Sequence, residues 1–270
     1  VVPVIRVAVA STPLTATLES AVPAAIAAVE EAGRLGAAIV CLPETGLPGH
    51  RSQPGPVPDV TAEQIEQAVD EVAAAARAAR VAVIVGIERP APAGREIVAI
   101  VIDAEGRRVG EQPKTQIDPG EELWYTPASG RRTFTLAGLT FGIVTCHEAF
   151  RYPELTRMAV LDGAQVVFVP HHVTTDDGSL PLRWCDATSP YNEKALMCRA
   201  IENTVYVAQA NTAMADQGSI TGIVGPDGAL VGGLPYGAAG VLALDLDLDR
   251  ATRLIALRYA PERARRGVST

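Results

Sequence analysis

Lysine is nearly missing from this 270-residue chain: there are two, Lys114 and Lys194, against 21 arginines. The charge balance is acidic, with a net charge of −8. That sign excludes the basic footprint of a nucleic-acid binder and the polybasic anchor of a membrane-surface protein. Aromatics are scarce at 4% against a hydrophobic content of 48%, so the core must be built from Ala, Val, Leu and Ile. Four cysteines, Cys41, Cys146, Cys185 and Cys198, form no CxxC pair and no zinc-type spacing. No apolar run approaches membrane-spanning length. Val1–Ala10 reads as a short strand with an arginine inside it, not as a secretory leader. The expectation is a cytoplasmic protein with reduced cysteines. The basic cluster Arg263-Ala264-Arg265-Arg266 reads as a solvated tail or a subunit contact.

What is present alternates between strand and helix patterns. Val4–Ala10, Ala37–Leu42, Val81–Ile87, Gln165–Val169 and Val205–Ala210 read as buried strands. Thr17–Leu35, Thr61–Arg80, Pro153–Asp162 and Asn192–Asn203 carry helical spacing, and Asp249–Leu257 reads as a closing helix. Turn residues at Ala104-Glu105-Gly106 and Ala137-Gly138 predict two hairpins, Glu96–Asp103 with Arg107–Glu111 and Thr133–Leu136 with Leu139–Thr145. Ile220–Val224, Ala229–Val231 and Val241–Leu246 read as late strands. Thr45–Asp59, Ile117–Gly130 and His171–Tyr191 read as irregular. The sum is a mixed-sheet α/β domain. No linker divides it, so one domain is expected over residues 1–270, with 262–270 as a C-terminal tail.

Three reactive side chains sit at strand ends. Glu44 follows Ala37–Leu42, Cys146 follows Leu139–Thr145, and Lys114 lies in Gln112-Pro113-Lys114-Thr115-Gln116. A lysine kept in an arginine-rich background is a candidate for work that a planar, permanently charged guanidinium cannot do. A cysteine on a strand–turn–helix junction projects from a sheet edge, where the N–H of His147 lies near enough to stabilise an oxyanion. The competing reading is a buried structural cysteine. A desolvated carboxylate at Glu44 would be a stronger base for the thiol proton. Lys114 would stabilise an oxyanion and lower the thiol pKa. His171-His172 with Asp176 and Asp177 suggests a metal site, but adjacent residues on an extended segment face opposite ways. No metal or cofactor is expected.

The set resembles the carbon–nitrogen hydrolase (nitrilase) superfamily. The matching segments are Pro43-Glu44, Lys114-Thr115-Gln116, and Cys146-His147-Glu148 followed by Pro153-Glu154. Arg199-Ala200-Ile201-Glu202-Asn203 with Val205–Asn211, and Ser219-Ile220 with Pro226-Asp227-Gly228, match further family segments in order. Three departures stand out. Cys146 and Glu154 are eight residues apart, one more than the common spacing, Gln116 stands where His is common, and His171–Tyr191 is long.

The resemblance implies a four-layer α-β-β-α sandwich with two mixed sheets, pairing with a second subunit as a homodimer or higher homo-oligomer. It implies Glu44 as base, Cys146 as nucleophile, Lys114 as oxyanion partner and Glu121 as substrate-positioning group. His147, Glu148, Arg151, His171 and His172 become candidate substrate contacts. Trp124 and Trp184 are expected to pack, Cys41, Cys185 and Cys198 to be structural, and Glu202 to anchor a buried polar network. The implied reaction is hydrolysis of a linear amide or N-carbamoyl compound through a cysteine thioester. The alternatives are a nitrilase, an acyl transferase, and a catalytically silent binding protein of the same fold. His147 stands where nitrilases commonly carry Trp, which favours amides.

Overall fold

The computed structural model describes residues 4–188 and 191–265; the final five residues of the expected tail lie outside the described residues. The chain runs β1 (Val4–Ser11), α1 (Leu18–Arg34), β2 (Ile39–Cys41), α2 (Ala62–Ala79), β3 (Ala82–Ala91), β4 (Gly94–Ile102) and β5 (Arg108–Pro113). It continues through β6 (Thr133–Leu136), β7 (Leu139–Ile143), α3 (His147–Arg151), α4 (Pro153–Leu161), β8 (Val166–His171), α5 (Asn192–Asn203) and β9 (Tyr206–Asn211). It closes with β10 (Gly222–Val224), β11 (Leu230–Gly233), β12 (Gly240–Asp247), a 3₁₀ turn (Leu248–Arg250), α6 (Leu254–Leu257) and α7 (Pro261–Arg265).

Two mixed six-stranded sheets result, ordered β12-β1-β2-β3-β4-β5 and β11-β10-β9-β8-β7-β6. Alternation along the strands decides the layering, because successive side chains face opposite ways. Val7, Val9 and Ile84 point into a core shared by both sheets, with Phe168 and Ala208 opposite them. Their neighbours Ala8, Ala10, Val83 and Val85 pack under α1 and α2. Val167, Val169 and Val207 pack under α4, α5 and α6 with Val160, Leu196 and Ala256. Three cores between four layers make the α-β-β-α sandwich that the resemblance implies.

Both hairpins form where the turn residues place them. Ala137 and Gly138 take the left-handed conformation (φ 51° and 79°) that suits a two-residue hairpin loop. Asp103 Oδ1 accepts from Glu105 N–H and Arg107 N–H at 3.0 and 2.8 Å, which closes the other turn. Two expectations are corrected. β3 continues past Ile87 through Pro90 to Ala91 as a ribbon paired with Gly94–Glu96 of β4. Prolines read as strand breakers in sheet interiors, but a protruding ribbon has free edges that accept them. The closing helix Asp249–Leu257 is broken in two. Arg253 is left-handed (φ 57°), and its N–H donates to Thr204 O at 3.1 Å, so the chain is pinned to the end of α5.

The topology brings the functional loops to one end. β1, β2 and β3 are parallel, and β5, antiparallel to β4, runs the same way as β3. β7, β8 and β9 are parallel in the other sheet. A Pro13–Ala213 bridge, with Ala213 N–H donating to Thr12 O at 2.8 Å, ties the ends of β1 and β9 together. The carboxyl ends of both parallel sets therefore face one side, where open α/β sheets bind their ligands.

Phe168 is fully buried between the sheets, edge-on to Phe141 at 5.3 Å. Phe168→Ala should lower the free energy of unfolding by about 3–5 kcal/mol, read from the midpoint of chemical denaturation. A loss below about 1 kcal/mol would mean that the central core is not the seam of the fold.

Candidate active site

Glu44 reaches the site because the chain after β2 keeps running along β3. Leu42 N–H donates to Ile84 O at 2.9 Å, Leu47 N–H to Gly86 O at 3.1 Å, and Glu88 N–H back to Leu47 O at 2.9 Å. A side chain at Gly86 would stand 2.4 Å from Pro43 O and 3.0 Å from Glu44 Cα. Glycine there is what lets the Glu44 backbone lie flat on the strand. The loop beyond is anchored by a buried fork: Arg51 Nε and Nη2 each donate to Glu88 at 2.6 Å. The stretch Thr45–Asp59, irregular as expected, therefore opens as a buried, hydrogen-bonded wall.

Cys146 sits on an elbow between β7 and α3, with φ 49° and ψ −117°, a conformation that non-glycine residues rarely adopt. Its N–H donates to Pro170 O at 3.0 Å, fixing the elbow to β8. His147 is the first residue of α3, so its N–H has no partner inside the helix. The side chain of Glu148 holds the elbow from below. It accepts five hydrogen bonds, from Thr115 N–H and Oγ1, Gln116 N–H, Arg131 Nη1 and Thr145 N–H. This corrects the expectation of a substrate contact: the carboxylate ties the Lys114 segment to the Cys146 segment.

Lys114 is fully buried. Its Nζ donates to Glu44 Oε1 at 2.8 Å and to Glu121 Oε2 at 2.6 Å. The other oxygen of Glu44 accepts from His172 N–H at 3.2 Å. One acceptor or ligand atom from each of Glu44, Glu121 and Cys146 lies within 4.8 Å of the others. The four side chains thus meet around one sulfur. Three anionic or soft donors at this distance also resemble a metal-binding set, but the Lys114 ammonium already lies between the two carboxylates and supplies the positive charge.

Electrostatics follow from the enclosure. Burial opposes the Lys114 charge, yet Glu44, the Cys146 sulfur and Glu121 outweigh it and hold its pKa well above the ordinary lysine value. Burial also works against the Glu121 carboxylate, but His50 and Lys114 hold it well below the usual carboxylate range. Burial, then the charges of Glu44 and Glu121, push the Cys146 thiol well above its ordinary value; Lys114 and the His172 amide pull the other way and are outweighed. The expectation that Lys114 would leave a low-pKa thiol is therefore corrected.

The remaining candidates separate. His147 Nδ1 pairs with Asp118 Oδ2 at 2.6 Å, and its ring meets Tyr152 edge-on. Arg151 is exposed, its guanidinium 4.0 Å above the Tyr191 ring. His171 is buried, with Nδ1 3.0 Å from Val169 O, and burial lowers its pKa to about 4. His172 stacks on His50 at 4.6 Å. Asp177 is exposed and caps Ser179, away from the buried histidine pair, so the segment forms no His–Asp cluster. Trp124 packs on Ile97, Ile117 and Tyr125, and Trp184 against the outer core of the second sheet. Cys41 is buried, Cys185 half-buried and Cys198 exposed on α5. Glu202 pairs with Arg199, whose guanidinium donates to Ala149 O and Phe150 O at 2.9 and 3.2 Å.

Two residues without a role in the sequence reading take one here. Glu193 is fully buried and accepts from Cys185 N–H, Ile220 N–H and the Tyr236 hydroxyl at 2.7–2.8 Å, anchoring the long segment before α5. His50 stands beside both carboxylates. A glutamate one position into a helix carries no sequence signal for burial; the late Gly218–Thr221 segment that meets it is distant in the chain.

Solved structures share this architecture. A cysteine-to-alanine variant of the Nesterenkonia AN1 amidase from the nitrilase superfamily superposes with a TM-score of 0.79 at 24% identity, covering 97% of this chain and 96% of that one. A second structure of an amidase from Nesterenkonia sp. gives 0.78 at 24% identity over 97% and 95%. At that identity the likeness is one of fold. Among curated proteins, a nitrilase from Pyrococcus abyssi is 27% identical over 121 residues, 44% of this chain and 40% of that protein. A probable hydrolase, YhcX of Bacillus subtilis, is 28% identical over 106 residues, 38% of this chain and 18% of that protein. The chain therefore spans less than half the length of either curated relative. The family described as Carbon-nitrogen hydrolase matches residues 6–256, from β1 to α6. With that match running through both sheets and all four converging side chains, the chain belongs to the carbon–nitrogen hydrolase family of the nitrilase superfamily.

Proposed function

We propose that this enzyme hydrolyses linear amides through a thioester on Cys146, with N-carbamoyl compounds as the neighbouring substrate class. The observation that carries the reading is the enclosure of Cys146 by Glu44, Glu121 and Lys114. Glu44 takes the thiol proton as the sulfur attacks the amide carbon, and the carbonyl oxygen becomes an oxyanion facing Lys114 and the His147 N–H. Collapse breaks the C–N bond, Glu44 returns the proton to the leaving nitrogen, and ammonia departs. Water then gives a proton to Glu44 and attacks the thioester; collapse regenerates the thiol and releases the acid. Glu121, held by Lys114, orients the substrate amide. A cysteine-to-alanine variant of the Nesterenkonia amidase has been captured with butyramide, and a glutamate-to-glutamine variant with the acetamide moiety of fluoroacetamide added to its active-site cysteine, which supports the amide class for this chain. His147, His172 and Arg151 are the proposed substrate-side contacts. We propose a cytoplasmic setting; no helix among the described residues is long and apolar enough to cross a membrane.

An ammonia-release screen over short linear amides, N-carbamoyl amino acids and the matching nitriles tests this reading. Amides should be turned over and the nitriles left intact. Cys146→Ala should lower kcat/KM at least about a thousandfold. Nitrile turnover without amide turnover would make the enzyme a nitrilase, and hydroxamate formation in excess of acid on adding hydroxylamine would make it an acyl transferase. If no substrate is consumed and Cys146 reacts no faster than Cys198 with iodoacetamide, the binding-protein reading replaces it.

The raised thiol pKa gives a second expectation. The wild type minus Cys146→Ala ultraviolet difference spectrum should contain no thiolate band at neutral pH, because the folded pKa lies above the ordinary cysteine value. A thiolate band at neutral pH would mean that Glu44 is not needed as the base in the first step.

A second copy of the chain is the proposed partner. Met158 and Leu161 of α4, Ile201 of α5, Leu254, Ile255 and Leu257 of α6, and Tyr259 leave an apolar strip on the outer face of the second sheet. Sedimentation should show a dimer or larger, and Ile255→Asp with Leu257→Asp should shift it toward monomer. A monomeric wild type at micromolar concentration would reject the assembly.

A further inference from the structure

We infer that His50 is a positioning residue that fixes Glu121 through its Nε2–H, so that the substrate amide meets a carboxylate held from both sides. The inference rests on the reading of Glu121 as the group that orients substrate.

His50 lies in the wall after β2 and is 2% exposed. Two rings pack against its imidazole. Tyr125 leans against one side with ring centroids 5.5 Å apart, and His172 stacks on it at 4.6 Å with 5° between the planes. The Tyr125 hydroxyl in turn accepts from Arg51 N–H at 3.1 Å, which ties this clamp to the Arg51–Glu88 fork.

The hydrogen bonds assign the tautomer. Ser52 N–H donates to His50 Nδ1 at 3.3 Å, and Ser52 Oγ lies 2.7 Å from the same nitrogen. A ring nitrogen that accepts a backbone N–H carries no proton of its own, so the imidazole proton sits on Nε2. Nε2 stands 3.3 Å from Glu121 Oε1 and 3.9 Å from Glu44 Oε2, a close polar approach that meets hydrogen-bond geometry with neither oxygen. The shorter distance selects Glu121 as the carboxylate that this N–H serves. Lys114 holds the opposite oxygen, Oε2, at 2.6 Å. A carboxylate gripped at one oxygen can rotate about that contact; one gripped at both has its plane set. Lys114 already serves Glu44 as well, so it cannot set the plane of Glu121 alone. His50 Nε2 is placed to supply the second contact, at Oε1.

The bland alternative is that His50 fills a buried hole between Tyr125 and His172. Phenylalanine would fill the same space and stack equally well, which makes the two readings separable. Kinetics on the best amide of the screen, with butyramide as the reference, provide the test. His50→Phe should lower kcat/KM roughly 10- to 100-fold, the range for losing one polar partner of a charged group. His50→Gln, which returns a donor near the Nε2 position, should recover most of that loss. The double variant His50→Phe/Glu121→Gln should be no slower than Glu121→Gln alone, because both changes act through one carboxylate. Losses that multiply, or a His50→Phe enzyme within about twofold of wild type, would overturn the inference. A Glu121→Gln enzyme as fast as wild type would instead sink the reading of Glu121, and this one with it. Nitrogen-15 spectra of the wild-type histidines give a check independent of any variant: His50 should be protonated at Nε2 and bare at Nδ1, and the reverse tautomer would refute the assignment.

Discussion

A single buried ammonium holds this site together. Lys114 has no exposure to solvent and touches two carboxylates at hydrogen-bond distance. Either carboxylate alone would be costly to bury as an anion, and two facing one another would force one to take up a proton. With the ammonium between them both remain acceptors. Removing one member of such a group characteristically costs about 3–5 kcal/mol, because an uncompensated charge is left in the interior. Glu44 comes from the connection after β2, and Lys114 and Glu121 from the connection after β5, so the same interaction that sets the charges also locks two loops in register. Arginine would not serve in its place. Its fork needs a wider, planar slot, whereas a compact ammonium can turn donors toward two carboxylates and a developing oxyanion.

The surrounding scaffold explains why such a group can be assembled at all. The parallel strands of both sheets end on one side, so short loops from distant parts of the chain arrive together. Several devices then remove the freedom these loops would otherwise have. Gly86 lets the Glu44 segment lie against β3, Glu148 links the Lys114 segment to the Cys146 elbow, and Arg51 and Glu88 fasten the wall that carries His50. The left-handed backbone at Cys146 is a local strain, sustained by its bond to Pro170 and by the packing of Ala149 and Phe150 under the second sheet. None of these devices performs chemistry. Each restricts a backbone segment that carries a reacting group, which is where preorganisation is set.

How much of this was legible in the sequence depended on distance along the chain. Glu44 and Cys146 could be singled out because each follows an apolar run, and strand ends are where α/β sheets place their chemistry; Lys114 could because lysine is nearly missing from the chain. Glu121 could be placed only through family spacing. Helix α2 was readable from its helical spacing, to which the structure adds a Thr61–Gln64 capping box, and the Ala137-Gly138 hairpin was readable from its turn residues. What failed was whatever depended on contacts across the fold. Glu148 follows the nucleophile by two residues and looked like a substrate group, but partners at 115, 116 and 131 claim its oxygens. The Pro90 ribbon and the broken helix after Asp249 failed for a related reason. Local propensity was overridden by a free strand edge in one case and by Thr204 in the other. His50 was invisible because nothing in a Pro/Gly-rich stretch marks a side chain that Tyr125 and His172 will later clamp.

The raised thiol constrains the order of events in the proposed cycle. A thiolate standing beside two ionised carboxylates would add a third negative charge to one buried enclosure, and the Lys114 ammonium could not balance it. The resting state is therefore the neutral thiol, with Glu44 beside it to take the proton. Moving the proton from sulfur to Glu44 changes neither the net charge nor the number of anions facing Lys114; one anion merely changes address, from carboxylate to sulfur. Attack on the amide moves it again, from sulfur to the carbonyl oxygen, and collapse returns it to Glu44 as ammonia takes the proton. Hydrolysis of the thioester repeats the circuit with water in place of the thiol. Through every step the enclosure holds two anions and one cation, so buried charge is relocated over a few ångströms and never created or removed. In a site of low dielectric that is the less demanding route, because the fixed dipoles around it need not reorganise for a change in total charge. A standing thiolate would break this balance at the outset, which is why burial of the sulfur and retention of Glu121 as a second carboxylate belong to the same design.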